Sequence, residues 1–311
     1  MKKLLLIDGN AIIHRAYHAY PPVLTNTKGE VINAVYGFFS MFLMMIADQK
    51  PDYLAVCFDR AAPNFRQALF APYQQHRPAL ADDFVPQIIL IHELLKNLNV
   101  AIFELDGYEA DDLIGTLAAR AVNENKNVEV IIVTGDRDML QLVNGRVKVL
   151  MPIVGITKTA LFDSTKVEEK YAVLPSQFVD YKALIGDASD GYPGVSGIGP
   201  KTASNLLQKY KTFENLYRHI SELPEKTGLK LATDAEQAAL AKKLAAIVID
   251  TPIQFDIAKC AVSNFDVAGL LDGFAKQGFK SLTARAKTVL GVVDKIDEAK
   301  KENNGQLGLL D

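Results

Sequence analysis

Five short runs rich in valine, isoleucine and leucine, at residues 4–7, 53–58, 100–104, 128–133 and 147–150, alternate with stretches of helical pattern at 31–48, 84–98, 109–123 and 137–143. Short continuous apolar runs read as strands buried on both faces, and strands alternating with helices build a mostly parallel sheet. The expected fold class is therefore α/β, with a central sheet flanked by helices. In such sheets ligands bind beyond the carboxyl ends of the strands. LLLIDGN, LAVCFDR and VIIVTGDRD place Asp8, Asp59 and Asp136 at those ends.

Six further acids stand in equally distinctive contexts: Glu109, Asp111 and Asp112 in GYEADDL, Asp138 in TGDRD, and Asp187 and Asp190 in IGDASDGYPGV. Like charges gathered at one place repel, so nine carboxylates without buried lysine or arginine partners would require cations. An oxygen-only ligand set favours Mg²⁺ or Mn²⁺. Each motif alone also reads as a helix cap, because acids in a first turn are favoured by the helix dipole. On a helix, Glu109 and Asp112 share a face while Asp111 is rotated by about 100 degrees, so the trio could grip an ion from two sides. Two ions about 3.5–4 Å apart can orient a water and stabilise both oxygens of a phosphoryl displacement, and carboxylates can bridge such a pair.

The net charge of −3 alone argues against a nucleic-acid partner. Removing the nine acids from the 37 present leaves 34 basic residues against 28 acidic ones, a basic surface around an acidic hole that suits a phosphodiester. The opening MKKLLLIDGN imitates a signal peptide, but its apolar run stops at Asp8, and no stretch reaches membrane length. Two cysteines, Cys57 and Cys260, give no disulfide or zinc framework, which fits the cytoplasm. The five histidines have no metal-ligand spacing.

The chain divides into an α/β core at 1–173, a mostly helical region at 174–290, and a polar tail at 291–311 expected to be mobile. Residues 60–86 interleave Arg60, Arg66, Tyr73, His76 and Arg77 with four prolines. Such an excursion between core elements suits a single strand, whose phosphates need charge and whose bases need stacking partners. In GVSGIGPKTASNLLQKY, residues 194–210, Gly197 and Gly199 permit a tight turn and Pro200 suits the start of a helix. The freed backbone N–H groups can face a phosphate, with Lys201 and Thr202 as further donors. An ordinary helical hairpin explains the same spacing.

Together these motifs, with LLLIDGNAIIHRAYHA, FDRAAPNFR, RPALADDF, GYEADDLIGTLAARA, TGDRDMLQLV, DYKALIGDASDGYPGVSGIGPKTA and FKSLTARA, resemble the 5′ nuclease family over nearly the whole chain. The closest resemblance is to the 5′-3′ exonuclease domain of bacterial DNA polymerase I and its stand-alone relatives. It implies a PIN-like core and nine acids holding two or more divalent ions. The tighter ion would involve Asp8, Asp59, Glu109, Asp111 and Asp112, the other Asp138, Asp187 and Asp190, with Asp136 between them. It also implies a helical arch at 60–86 for the 5′ strand, where Arg66, Tyr73, Gln74 and Arg77 would meet DNA. Arg15 and Tyr17 would touch terminal nucleotides. Lys182 and Arg77 would assist catalysis, and the segment around Gly197, Gly199, Lys201 and Thr202 would be a helix-hairpin-helix on duplex DNA carrying a K⁺ ion.

Two positions depart from the family pattern: Gln74, where relatives usually place lysine, and Gly191, where many have asparagine. The terminal GQLGLLD, with Gln306, Leu307, Leu309 and Leu310, resembles a sliding-clamp docking peptide. The tail suits either a free end or a linker to a polymerase. The function implied is a monomeric 5′-3′ exonuclease and flap endonuclease acting on DNA in Okazaki-fragment primer processing and repair. A catalytically weakened DNA-binding relative and a metal-dependent ribonuclease are the alternatives.

Overall fold

The computed structural model describes residues 1–76, 81–154 and 158–291. Arg77, Gln306, Leu307, Leu309 and Leu310 lie outside the described residues. Strands β1 (Lys2–Asp8), β2 (Tyr53–Cys57), β3 (Ala101–Phe103), β4 (Val128–Val133), β5 (Val147–Val154) and β6 (Lys158–Phe162) form one sheet in the order β3-β2-β1-β4-β5-β6. The first five are parallel, and β6 runs antiparallel to β5. The strand β6 was not legible as one, because an edge strand needs no long apolar run: KTALF buries only Phe162 fully.

Period-two alternation turns successive β1 side chains to opposite faces. Leu4 and Leu6 enter one core with Ala55, Val130 and Ile132, while Leu5 and Ile7 enter the other with Val56, Ile131 and Val133. Burying each such leucine or isoleucine contributes about 1.5–3 kcal/mol. Helices α1 (Gly9–Ala19), α2 (Asn33–Gln49), α3 (Phe65–Leu69), α4 (Phe84–Asn97) and α5 (Ala110–Glu124) occupy the connections. Residues of α1, α2 and α4 supply the Leu5 core, and those of α5 the Leu4 core. The helix expected at 137–143 is a single 3₁₀ segment, Asp138–Leu142. Such a short run before the next strand cannot repay the nucleation of an α-helix.

The later chain forms α6 (Ser164–Tyr171), α7 (Phe178–Ile185), α8 (Pro200–Tyr210), α9 (Phe213–Arg218), α10 (Glu225–Thr233) and α11 (Ala235–Ala245), then α12 (Val267–Lys276) and α13 (Lys280–Val289). A small antiparallel ribbon, β7 (Gly186–Asp187) with β8 (Tyr192–Pro193), joins α7 to the hairpin before α8. After α11 the backbone returns across α5, where Val248 N donates to Asp112 Oδ1 at 2.9 Å and Thr251 N to Thr116 Oγ1 at 3.0 Å, and then reaches the start of β2, where Val262 N donates to Asp52 O at 2.9 Å. Among the described residues, no helix is long and apolar enough to cross a membrane.

Candidate active site

The sheet order reverses at β1, so the crevice beyond its carboxyl end lies between the β2 and β4 sides. A cleft of 770 Å³ opens there, lined by Asp8, Asp59, Glu109, Asp111, Asp136, Asp187 and Asp190. Backbone and hydroxyl donors fix the first acids. Asp8 caps α1 through Ala11 N at 3.0 Å and accepts from Thr134 Oγ1 at 2.7 Å. Asp59 accepts from Ala110 N at 2.7 Å, and Asp136 from Asp138 N at 2.8 Å. Capping and site-building are therefore performed by the same carboxylates. Asp138 is absent from the cleft wall, yet one of its oxygens lies within 4.8 Å of oxygens on Asp187 and Asp190.

The acids are not without buried cationic partners, which corrects that expectation. Lys182 Nζ lies 2.6 Å from Asp138 Oδ1 and also bonds Asp187. Burial lowers the Lys182 pKa, but Asp138 and Asp187 outweigh it and hold the amine charged. Burial likewise raises Asp187, and hydrogen bonds from Lys182 and Ser189 bring it below the usual range.

Arg66 is 2% exposed. It donates to Asp112 Oδ1 and Oδ2 at 2.8 Å each, to Glu109 Oε2 at 2.7 Å, and to the Leu244 and Ala246 carbonyls at 2.9 Å each. All five of a guanidinium's N–H groups are thereby engaged. Arg66 is not positioned to meet DNA. Asp112 is not positioned as a metal ligand either: its oxygens also accept from Glu109 N at 3.1 Å and Val248 N at 2.9 Å, and it is fully buried. The EADD motif therefore splits, with Glu109 and Asp111 facing the cleft and Asp112 turned back to close the capping box on Glu109 N.

Burial pushes the carboxyls of Asp8, Glu109 and Asp138 up to about 7, with neighbouring acids adding repulsion. Asp111 is raised well above the usual range by burial and by Asp136, Asp8, Glu109 and Asp59, and burial also raises Asp136. Lys182 and Arg66 thus leave the cleft with surplus negative charge. The hard-oxygen donor set fits a divalent ion at the Asp138, Asp187 and Asp190 triad, whose ligand oxygens lie within 4.8 Å of one another, and the mutually repelling acids around Asp111 attract positive charge.

A pH dependence is expected. Carboxyls at about 7 when folded and about 4 when unfolded bind more protons in the folded state, so stability falls as pH rises. In EDTA, the melting temperature should fall between about pH 4.5 and about pH 7.5 and then level. Mg²⁺ or Mn²⁺ should raise it more at high pH. A flat profile in EDTA would refute the surplus.

Tyr73 and Gln74 form part of the cleft wall. Tyr73, 3% exposed, stacks on Tyr192, and its hydroxyl lies 3.2 Å from Glu109 Oε2 and 3.4 Å from Asp190 Oδ2. It is not available as a stacking platform for a base. Gln74, at φ 57, donates to Asp190 Oδ1 at 3.0 Å and Glu109 Oε1 at 3.3 Å. Asn64, overlooked in AAPNFR, donates to Glu109 Oε1 at 3.0 Å. Gln74→Lys is expected to place an ammonium between these two acids. The variant should melt higher than wild type in EDTA at high pH, and its shift with Mg²⁺ should be smaller. An unchanged metal response would place the side chain elsewhere.

Tyr17 bonds Asp83 at 2.9 Å and packs edge-on against Phe84, tying α1 to α4, with Arg15 half-buried two residues earlier. Exposed Arg137 and His14 line the cleft, although neither drew notice in the sequence. Gly191 has φ +78, a conformation that glycine and asparagine tolerate, and an added Cβ would meet His76 Nδ1 at 2.8 Å. Gly197, Gly199, Lys201 and Thr202 are all exposed at the hairpin. At the place expected to hold K⁺, Gly197 O accepts from the Lys230 ammonium at 2.9 Å, while Val195 O and Gly199 O accept single backbone bonds from Ile198 N at 3.0 Å and Ala203 N at 2.9 Å.

A mostly parallel sheet with acids crowded at its carboxyl edge, followed by a helical C-terminal region, is the architecture of PIN-like 5′ nucleases. The chain belongs to the 5′-3′ exonuclease family: residues 3–172 match its N-terminal resolvase-like domain and residues 173–268 its C-terminal SAM fold. DNA polymerase I of Bacillus caldotenax is 40% identical over 288 residues, covering 92% of this chain and 32% of the polymerase. DNA polymerase I of Bacillus subtilis is 38% identical over 285 residues, covering 91% and 32%. The chain thus spans about one third of the length of these polymerases. The T5 D15 protein co-crystallised with metal ions shares the fold at TM-score 0.65 and 18% identity, over 94% of this chain and 100% of that one. The catalytic core of Rad2 in complex with DNA substrate does so at TM-score 0.56 and 14% identity, over 93% and 91%.

Proposed function

We propose that this chain is a divalent-metal-dependent nuclease hydrolysing DNA phosphodiesters at 5′ ends and 5′ flaps, in Okazaki-fragment primer removal and repair. The convergence of seven carboxylates on one cleft carries the reading. Two bound divalent ions would supply an activated water and stabilise the attacking and leaving oxygens. Asp8, Asp59, Glu109, Asp111 and Asp136 would hold ions on the β1 side, and Asp138, Asp187 and Asp190 on the α7 side. Lys182 and exposed Arg137 bring positive charge toward a phosphate in the cleft. The start of α8, whose Gly199 N-cap offers no side-chain bond, suits a duplex phosphate. Covalent catalysis by cysteine is disfavoured: burial raises both thiols, Cys260 to about 12.

A labelled 5′-flap duplex incubated with Mg²⁺, and then with EDTA, tests the reading. Metal-dependent release of the flap is expected, leaving 3′-hydroxyl and 5′-phosphate ends. Binding without product would favour a catalytically weakened DNA-binding relative, a reading supported by the neutral Gln74 between two acids. Preference for the same flap made of RNA would favour a ribonuclease. The proposal includes a cytoplasmic monomer that docks a sliding clamp through Gln306, Leu307, Leu309 and Leu310. Undiminished clamp binding after deletion of residues 306–311 would remove that partner.

A further inference from the structure

We propose that Lys230 is a built-in cation of the hairpin, taking the place of a monovalent metal ion where the duplex backbone is held. The observations lie at the turn between Val195 and Pro200. Gly197 adopts φ +72, and an added Cβ would stand 2.4 Å from Lys230 Nζ and 3.1 Å from its Cε. The lysine chain therefore crosses the turn at Gly197, where a side chain would collide with it, and not at Gly199, where a Cβ would meet nothing. Its ammonium donates to Gly197 O at 2.9 Å, using one of its three donors. Lys230 belongs to α10, and Asp234 at the α10–α11 junction accepts from Ser196 N at 2.7 Å, so the end of α10 grips the hairpin at two successive residues, Ser196 and Gly197.

A K⁺ ion at this turn would need carbonyl oxygens as ligands. Those of Val195 and Gly199 each accept one backbone hydrogen bond and keep a second lone pair, whereas Gly197 O already accepts from a cation. A second cation on Gly197 O would be repelled at close range. The ammonium stands just before α8, whose first N–H groups favour an anion. Charge that a metal ion would bring from solution is here supplied covalently.

The inference rests on the hairpin holding duplex DNA, and the experiment separates the two. The affinity of the full chain for a 5′-flap duplex is measured in EDTA at fixed ionic strength, with K⁺ or tetramethylammonium as the monovalent cation. Wild type should bind equally in both. Lys230→Met keeps the aliphatic stem across Gly197. It should bind about tenfold more weakly in tetramethylammonium, the scale of one charge-assisted hydrogen bond, and recover largely in K⁺. The slope of its log affinity against log salt should be reduced by about one. A wild type that loses affinity in tetramethylammonium, or a variant indifferent to loss of the ammonium, overturns the inference. If wild type binds duplex in neither salt, the duplex reading fails instead. Thallium(I) soaked into crystals then judges the hairpin alone: the ion on Gly197 O in wild type rules the inference out, and the ion only in Lys230→Met upholds it.

Discussion

Asp136→Ala should reduce flap cleavage by about a thousandfold or more while leaving DNA affinity nearly intact. Asp136 lies three residues beyond β4, close enough to Asp8 to repel its charge, and burial together with Asp190 and Asp187 raises the Asp136 carboxyl. In the proposed mechanism Asp136 holds an ion, and loss of that ligand would remove several kcal/mol of the transition-state stabilisation that metal ions provide. In the proposed enzyme the duplex grip lies elsewhere, at the hairpin before α8. Removing a negative charge from the cleft should also weaken repulsion of the DNA backbone, so affinity should hold or rise slightly. Single-turnover cleavage and anisotropy on the same flap substrate decide the matter. Equal loss of cleavage and binding would show that Asp136 supports the fold, since its Oδ1 also accepts from Asp138 N.

Arg66→Ala should be among the most destabilising single changes in the chain. It would leave the fully buried Asp112 with an uncompensated charge and the Leu244 and Ala246 carbonyls without their donor. Breaking a buried ion pair from one side costs about 3–5 kcal/mol, a large part of the 5–15 kcal/mol that holds a typical domain together. Arg66→Lys should recover little, because an ammonium cannot reproduce five bonds in a planar fork. The double variant Arg66→Met with Asp112→Leu should fall less than the sum of its single changes, since neither partner then stays charged and alone. Chemical denaturation of the four proteins measures this, and simple additivity would show that the pair is not the source of the loss.

The strands and the acidic edge were legible because both leave local marks. A buried parallel strand is a continuous apolar run, and a ligand at its end follows within a few residues, as in LLLIDGN. What escaped the reading depended on partners far along the chain. Asp112 looks like Asp111 in the sequence, and only Arg66, 46 residues away, and Val248, 136 residues away, make it a structural cap. Arg66 and Tyr73 carry the composition of a nucleic-acid contact, yet the same charge and ring serve to brace Glu109. Lys230 sits in an unremarkable polar helix, and nothing local marks its reach to Gly197. The strand β6 escaped for a different reason: as a half-exposed edge it lacks the apolar density that identified the others.

The ribbon of β7 and β8 has a mechanical consequence. Asp187 ends β7, Tyr192 begins β8, and the hairpin glycines follow at once, so a hydrogen-bonded bracket separates a carboxylate of the acidic triad from the start of α8. Pairing of Asp187 with Tyr192 keeps that bracket short and stiff. In the proposed enzyme it serves as a ruler: a duplex seated on the hairpin would present its backbone to the ions at one set distance. The position of the cut would then be counted from the junction, whatever bases lie there.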